Sequence, residues 1–334
     1  KKKLLKHIFY SKDHKNFIPY VTSYYKKNWG FCVSFNDYKK IFKSNKYEVK
    51  IDSTLKKGFL TYADYLIKGK SKSEILISCN ICHPSLANNE ISGMVVSTEL
   101  IKYLSKLKNY YTYRFVFLPE TIGSIIYINK NFKILKKNVK AGYVLTCIGD
   151  NFNYSFLPSR QGDTLSDKAA LNYLKFEIKN FKKYSFLERG SDERQYCSVN
   201  VDLPISSLMR SKYNTYPEYH TSGDNLNFIS DNGLKGGFNY VKNILVILEN
   251  NFKYKSKLKC EPLMSSRNLY PQISSRKNSP LSAGNKFKNY LDFIAFADGK
   301  NDLIDISNMM NISAFKLIEI KNRLVKLKLI EKVK

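Results

Sequence analysis

Hydrophobic positions change their spacing along the chain, and from residue 73 onward two patterns alternate. One consists of continuous apolar runs, which predict strands buried on both faces: EILISCNI, RFVFLPE, GYVLTCIG and DLPISSLM. The other places apolar residues three and four positions apart, which predicts helices: GMVVSTELIKYLSKL, DKAALNYLKFEI and GGFNYVKNILVILENNF. Strands that alternate with helices predict an α/β domain with a mostly parallel sheet over residues 71–260, in which NYSFLP is an edge-like strand.

The segments on either side of this domain have other patterns. Residues 16–70 contain short aromatic and β-branched runs between polar turns, which predict a small β-rich domain. Residues 261–285 are polar, contain serine and proline and have no period, as is typical of a linker. Residues 286–334 then predict a helix, a break, a short helix, a third helix with Ser313 as its N-cap, and a strand. That order is typical of a winged helix.

Composition narrows the range of functions. The 334 residues carry 56 lysines and arginines against 28 acidic residues, a formal charge of +28. Only eight of the basic residues are arginines, and the lysines are spread over nearly every solvent-facing position. The winged-helix segment holds ten basic and six acidic residues, so its positive charge is no denser than that of the whole chain. We therefore expect no sequence-specific binding of nucleic acid.

Apolar runs, the N-terminal segment and the cysteines together indicate the cellular compartment. No apolar run approaches the roughly 18 residues that a bilayer span needs, so we expect no membrane insertion. The apolar stretch at the N-terminus is too short for the core of a signal peptide. The six cysteines are scattered, and most lie in apolar runs, as buried free thiols in a reducing compartment do. These features predict a cytoplasmic protein.

Chemically active side chains follow the predicted strands at their carboxyl ends, where open α/β sheets bind ligands. His83 follows the first strand and Glu120 the second, while Asp192, Glu193 and His220 lie in later loops. Imidazoles and carboxylates hold zinc, and a carboxylate beside the metal can act as general base. We take Glu120 and Glu193 as the catalytic candidates. From spacing alone, a metal site and a set of ordinary surface polar residues both remain open.

One short pattern in this region suggests another cofactor. Cys79-Asn80-Ile81-Cys82-His83 matches the C-x-x-C-H attachment pattern of c-type haem. Thioether attachment needs exposed thiols and an oxidising compartment, whereas these cysteines lie in or next to a predicted buried strand. We therefore do not expect haem.

Four segments resemble the motifs of bacterial aminopeptidase-like proteins that are often linked to surface-polysaccharide biosynthesis: ILISCNICHPSLANNEISG, FVFLPETIGSIIYI, GSDERQY and PEYHTSGDNL. These proteins are distant relatives of the di-zinc aminopeptidases. The resemblance covers nearly the whole chain, with the β-rich insert and the winged helix included. It implies a three-layer α/β/α sandwich whose peptidase-like domain starts within residues 1–15, with an upstream segment missing.

The resemblance also implies a metal site. His83, Glu120 and His220 match its metal-site positions, and Asp192 is a further candidate ligand. Asn89 stands where these proteins carry an aspartate that bridges two metal ions, and a neutral amide is a poorer ligand for zinc. The implied cofactor is therefore one zinc ion, or two of which the second is weakened by Asn89.

The function that the resemblance implies is hydrolysis of a peptide or amide bond by metal-activated water. The substrate class would be a small peptide or an amide-containing glycan. Arg160, Arg194 and Arg210 lie near predicted strand ends and are the candidates for binding a substrate carboxylate.

Two alternatives stay open. One is a degenerate hydrolase fold that binds a ligand or partner without turning it over. The other is a regulator that approaches DNA through Lys316, Lys321, Arg323 and Lys326 of the third winged-helix helix. We favour a winged helix that packs or forms a homo-oligomer, because the charge of this segment is not concentrated.

Overall fold

The structure is a computed structural model, and it describes residues 1–23, 26–41, 43–269 and 286–333. The chain divides into two compact units, one formed by Lys1–Gly162 with Lys182–Asn239 and the other by Asp163–Phe181 with Tyr240–Lys334. The strands are β1 (Ile8–Phe9), β2 (Phe31–Cys32), β3 (Ala63–Ile67), β4 (Glu74–Asn80), β5 (Thr112–Leu118), β6 (Val139–Leu145), β7 (Ser155–Leu157), β8 (Lys182–Lys183), β9 (Ile205–Met209), β10 (Lys253–Ser256), β11 (Asp298–Asp302) and β12 (Ile330–Lys332).

Helices follow most of these strands. The α-helices are α1 (Lys2–Leu5), α2 (Phe35–Ile41), α3 (Ser92–Leu104), α4 (Ile122–Asn138), α5 (Leu165–Tyr173), α6 (Glu193–Tyr196), α7 (Asp231–Asn250), α8 (Lys286–Phe296), α9 (Leu303–Met310) and α10 (Ala314–Lys326). Two π-helical turns, Ala87–Ile91 and Leu174–Ile178, and two 3-10 turns, Phe186–Glu188 and Ser265–Arg267, complete the set. In the described part of the chain, no helix has the length and hydrophobicity to span a membrane.

A seven-stranded sheet organises the first unit, in the order β3-β5-β4-β6-β9-β7-β8. Its four central strands, β5, β4, β6 and β9, run parallel, whereas β3 and β7 run antiparallel to their neighbours β5 and β9. This architecture confirms the predicted α/β fold with a mostly parallel sheet. The edge-like strand NYSFLP is β7, and β8 lies outside it at the edge of the sheet.

The apolar runs of the sequence form the core of this sheet. All seven residues of β4 are buried, as a continuous hydrophobic run in the middle of a parallel sheet requires. Leu76 of β4 shares a buried cluster with Val116 of β5 and Val144 of β6. Tyr127 and Leu135 of α4 belong to the same cluster. Helix α4 therefore packs against this sheet.

Residues 16–70 differ from the β-rich pattern that their sequence predicts. In the described part of this segment the strands are short, and the longest, β3, pairs with β5 inside the large sheet. Residues 46–62 have no regular secondary structure, and Leu55 and Phe59 are exposed. β-branched and aromatic residues favour strands only where a partner strand is available.

The second unit contains a winged helix, as predicted. Its three-stranded antiparallel sheet has the order β11-β10-β12, and it accompanies helices α8, α9 and α10. The hydroxyl of Ser313 accepts a hydrogen bond from the backbone N–H of Phe315, so Ser313 is the N-cap of α10. The central strand β10 precedes the predicted start of the module at residue 286. Residues 270–285 of the predicted linker lie outside the described residues.

Candidate functional site

The carboxyl end of β4 leads into the candidate site through a π-helical turn. Residues 87–91 form this turn directly before α3, and its members Asn88, Asn89 and Glu90 are all buried. Three consecutive polar side chains cannot all face the interior from a regular surface helix, and the wider π-turn is a feature common at functional sites. Gly93 is required just after it, because an added Cβ would lie 2.5 Å from the carbonyl oxygen of Leu145.

Asp224 holds this turn in place. Its carboxylate accepts hydrogen bonds from the backbone N–H groups of Asn88, at 2.5 Å, and Asn89, at 2.9 Å. Burial raises the pKa of Asp224, and these two hydrogen bonds oppose the shift. The loop that carries His220 is thereby attached to the turn that carries Asn89.

Two imidazoles and a tyrosine meet beside this turn. The rings of His83 and His220 lie edge to face with their centroids 5.2 Å apart. The ring of Tyr20 packs edge-on against both, 4.5 Å from His83 and 5.3 Å from His220. The backbone N–H of Tyr20 also donates to the carbonyl of His220 at 2.9 Å. The N-terminal segment therefore forms one wall of the site.

His220 is held in a state that suits metal binding. Its φ of 54° is in the left-handed region, a strained conformation of the kind found at functional sites. Its Nε2 atom is buried and has no hydrogen-bond partner. Burial, and then the proximity of His83, lowers the pKa of His220 to about 4. The imidazole is therefore neutral at pH 7, which is the form that binds a metal ion.

A compact group of potential metal ligands surrounds His83. Ligand atoms of Cys82, His83 and Glu90 all lie within 4.8 Å of one another. The thiol of Cys82 donates to Oε1 of Glu90 at 3.0 Å, and Nε2 of His83 lies 3.8 Å from the same oxygen. Cys82 and Glu90 were not among the ligands that the sequence predicts. Glu120, Asp192 and His220, which were, do not belong to this group.

Glu120 contacts Cys82, and Asp192 is close enough to Glu120 for their charges to interact. The backbone N–H of Glu120 donates to Sγ of Cys82 at 3.3 Å, and Oε1 of Glu120 accepts from the hydroxyl of Ser191 at 2.6 Å. Burial raises the pKa of Glu120. Burial, and then the negative charge of Glu120, raises the pKa of Asp192 to about 8. Asp192 has one carboxylate oxygen, Oδ2, that is buried without a partner.

The other oxygen of Asp192 holds a strained residue. It accepts hydrogen bonds from the backbone N–H of Thr121, at 2.8 Å, and from the hydroxyl of Ser124, at 2.7 Å. Thr121 has a φ of 63°, which is costly for a β-branched residue. Asp192 therefore fixes the turn between β5 and α4, where Glu120 lies.

Both carboxylate oxygens of Glu193 accept hydrogen bonds from other groups of the protein. Its Oε1 accepts from the backbone N–H groups of Gly190 and Ser191 and from the hydroxyl of Tyr213, and its Oε2 accepts from Ser207. The carboxylate is also fully buried. This arrangement gives Glu193 the role of an anchor for the loop that carries Asp192. A catalytic role for Glu193 stays a prediction from sequence.

Comparison with known proteins identifies the family to which this chain belongs. The family described as a domain of unknown function, DUF4910, matches residues 17–251, and a winged helix-turn-helix family matches residues 253–332. The chain belongs to the DUF4910 family. The winged helix-turn-helix match starts at β10, in agreement with the three-stranded sheet of the second unit.

Relatives of this DUF4910 chain come from Clostridium acetobutylicum and other bacteria. A candidate polysaccharide biosynthesis protein with an aminopeptidase-like domain from C. acetobutylicum is 40% identical over 297 residues, which are 88% of this chain and 66% of that protein. A crystal structure of a candidate peptidase from C. acetobutylicum has a TM-score of 0.90 and 35% identity, over 99% of this chain and 74% of that one. An aminopeptidase from Aneurinibacillus sp. strain AM-1 has a TM-score of 0.47 and 20% identity, over 55% of this chain and 47% of that one.

The three arginines that the sequence singles out have different surroundings in this DUF4910 chain. Arg160 forms a salt bridge with Asp202 at 2.9 Å. Arg210 is buried and donates to the carbonyl of Asn153. Arg194 is exposed, donates to the hydroxyl of Thr121 and is close enough to lower the pKa of Glu120. Of the three, Arg194 is the one beside the candidate site.

Asn89 brings no negative charge to the site. Its side-chain N–H donates to Thr146 at 3.3 Å and to Sγ of Cys147 at 3.6 Å. Its Oδ1 atom is buried without a partner. The position that carries a bridging aspartate in the resembling enzymes thus offers a neutral oxygen here.

Zinc fits the residues at this end of the sheet. Nε2 of His220, Oδ1 of Asn89 and Oδ2 of Asp192 are buried and unpaired, although buried polar atoms normally have a partner. Imidazole, thiol and carboxylate groups are the donors that zinc prefers. A cation bound beside His83 would give Nε2 of His220 a partner.

Proposed function

We propose that this chain is a metal-dependent amide hydrolase with one zinc ion bound at His83 and His220. The observation that carries the proposal is the meeting of these two imidazoles, with centroids 5.2 Å apart, at the strand ends that also carry Glu120. His220 is neutral at pH 7 and its Nε2 is unpaired, so it can bind a cation without first losing a proton.

Glu120 would act as the general base. A carboxylate whose pKa is raised toward neutral accepts a proton more effectively at physiological pH, and burial raises the pKa of Glu120. The hydroxyl of Ser191 and the side-chain N–H of Asn80 hold Oε1 of Glu120, at 2.6 and 3.3 Å. Zinc in this site would polarise the amide carbonyl and make water more acidic. Glu120 would take the proton of the attacking water and pass it to the leaving amine.

The substrate that we propose is an amide bond in a small peptide or in an amide-containing glycan. The C. acetobutylicum relative, of which this chain spans 66% of the length, is named for polysaccharide biosynthesis and for an aminopeptidase-like domain. Arg194 is exposed beside Glu120, where its guanidinium can bind a carboxylate on the substrate. Tyr20, which is 40% exposed and packs on both histidines, offers an aromatic face to a peptide side chain or a sugar ring.

A second candidate function is binding without turnover. The neutral side chain of Asn89 and the fully occupied carboxylate of Glu193 favour it, because both remove a negative charge or a base from the site. A binding domain of this kind would bind its ligand at this site without hydrolysing it.

Regulation through DNA has less support from the second unit. One of the basic side chains on α10, Lys321, is buried and donates to Asn250 at 2.7 Å. Lys316, Arg323 and Lys326 are exposed, and Lys316 lies 3.8 Å from Glu177. We therefore propose that α10 contributes to packing and that its contact with DNA is non-specific.

Chelation and reconstitution test the hydrolase proposal. The protein would be stripped of metal, reloaded with zinc and assayed on aminoacyl anilides and on N-acylated amino sugars. We expect turnover that requires the metal and disappears again with chelator. Stoichiometric zinc binding with no turnover on either substrate class supports the binding function instead.

A further inference from the structure

We propose that Cys82 and Glu90 are the anionic ligands of the metal ion, in place of the carboxylate that is missing at position 89. This inference rests on the proposed metal site at His83 and His220 and specifies its ligand set. The resulting set consists of the thiolate of Cys82, the carboxylate of Glu90 and the imidazole of His83. The imidazole of His220, whose ring centroid lies 5.2 Å from that of His83, would be the fourth ligand.

The geometry around Oε1 of Glu90 carries the proposal. This oxygen lies 3.0 Å from Sγ of Cys82 and 3.8 Å from Nε2 of His83. In the described part of the chain, these three residues form the group whose ligand atoms all lie within 4.8 Å of one another. A single ion that binds three ligands at about 2.0–2.3 Å requires spacings of this order.

Charge explains why both anionic groups are needed. Asn89 brings no negative charge to the ion, and its side-chain N–H groups face Thr146 and Cys147. Glu90, only one residue further along, carries a carboxylate that is 2% exposed. A carboxylate buried this deeply is unfavourable unless a cation compensates its charge. One thiolate and one carboxylate together neutralise a doubly charged ion.

Both ligands are already held in position. The second oxygen of Glu90, Oε2, accepts from the backbone N–H of His83 at 2.5 Å, so the carboxylate cannot rotate freely. Sγ of Cys82 accepts from the backbone N–H of Glu120 at 3.3 Å. Ligands that are oriented by a second layer of hydrogen bonds bind metal more tightly. The same N–H also ties the proposed base to the metal ligand.

Binding would exchange a proton for the ion. Without metal the thiol of Cys82 donates a hydrogen bond to Glu90. On coordination the sulfur–hydrogen bond would be replaced by a sulfur–metal bond, and the proton would leave to solvent. Catalytic zinc sites have three protein ligands and a position for water, and zinc sometimes takes a fifth ligand in the transition state, so hydrolysis would require this set to admit a water as well. A thiolate ligand also selects zinc, cobalt and cadmium over magnesium and manganese.

Cobalt substitution tests the ligand set by spectroscopy, independently of activity. The metal-free full chain would be titrated with Co²⁺ and its near-ultraviolet absorption recorded, because a sulfur–cobalt bond gives a charge-transfer band that nitrogen and oxygen ligands do not give. The variants are Cys82→Ser and Glu90→Gln. Cys260→Ser, at an exposed cysteine, is the matched control for thiols outside the site. Thermal unfolding of each metal-free variant checks that it folds.

We expect one cobalt ion per chain and a charge-transfer band in the wild type and in Cys260→Ser. Cys82→Ser should lose the band, and both site variants should bind cobalt at least about tenfold more weakly. If one cobalt binds with no such band, and Cys82→Ser binds it equally well, the ligand set is wrong while the proposed metal site stands. If the wild type binds no stoichiometric cobalt or zinc, both proposals are wrong.

Discussion

The imidazole rings of His83 and His220 lie edge to face, 5.2 Å apart, although one follows the first strand of the parallel sheet and the other lies in a late loop. A third part of the chain closes on them, because the backbone N–H of Tyr20 binds the carbonyl of His220 and that of Ser222 binds the carbonyl of Ile18. The fold therefore assembles the site from three segments that are distant in sequence.

Replacement of Glu120 should separate catalysis from metal binding. Glu120→Gln preserves an oxygen that can accept from Ser191 but cannot take a proton from water. We expect the turnover number to fall by about 10²–10⁴-fold, the usual contribution of a general base. Zinc content should stay at the wild-type value. A variant that retains its activity would exclude Glu120 as the base, and one that loses its zinc would show that Glu120 holds the metal.

The charge at position 89 should limit the number of metal ions. Asn89→Asp introduces a carboxylate where the resembling enzymes have a bridging ligand, so it should raise metal occupancy toward two ions per chain or increase turnover on aminoacyl anilides. Equilibrium dialysis followed by metal analysis measures the occupancy. An unchanged metal count with no gain in turnover would mean that the pocket serves another chemistry.

Asp224 should matter for stability as well as for the site. Asp224→Asn leaves one acceptor for the two buried N–H groups of Asn88 and Asn89. An unpaired buried donor costs about 1–3 kcal/mol, and we expect the free energy of unfolding to fall by that amount. Asp231→Asn, on the exposed start of α7, is the matched control and should change little. Equal stabilities of the two variants in urea would contradict the anchoring role.

Lys321 should make the second unit more stable at alkaline pH. Burial, and then the charge of Lys332, lowers the pKa of Lys321 from 10.5 to about 8. Between these values the unfolded chain binds more protons than the folded one, so the free energy of unfolding rises with pH. The cost of burying the charge is present in full below pH 8 and disappears above about 10.5.

The measurement is urea unfolding of wild type and Lys321→Met across this range. We expect the wild type to gain stability relative to the variant as the pH rises from 8 to 10.5. Lys326→Met, at an exposed position of the same helix, should follow the wild type at every pH. A difference between wild type and Lys321→Met that does not depend on pH would contradict the lowered pKa.

The fold could be predicted from the sequence where hydrophobic runs alone determine burial. The run EILISCNI became a fully buried central strand, and Ser313 became the N-cap of α10. Residues 16–70 were different, since their aromatic and β-branched runs say nothing about whether a partner strand exists. The one strand of five residues in this segment, β3, found its partner in the large sheet.

The candidate site could be predicted only in part. His83 and His220 were visible because rare histidines followed predicted strand ends. Cys82 and Glu90 were not, because their meeting depends on a π-turn that no spacing rule indicates. The available signals were adjacency alone, since Cys82 directly precedes His83 and Glu90 directly follows Asn89. The sequence shows Glu193 only as a carboxylate in a loop, and its four hydrogen-bond donors lie on residues that a sequence pattern cannot bring together.

Metal binding by the two histidines tests the central claim most directly. The wild type, His83→Ala, His220→Ala and the control His14→Ala, which replaces a histidine of the N-terminal segment, would be stripped of metal and titrated with zinc in a calorimeter. We expect one high-affinity zinc ion per chain in the wild type and in His14→Ala, and a loss of at least about tenfold in affinity in each of the other two variants. Wild-type stoichiometry and affinity in both His83→Ala and His220→Ala would contradict a metal site at these residues.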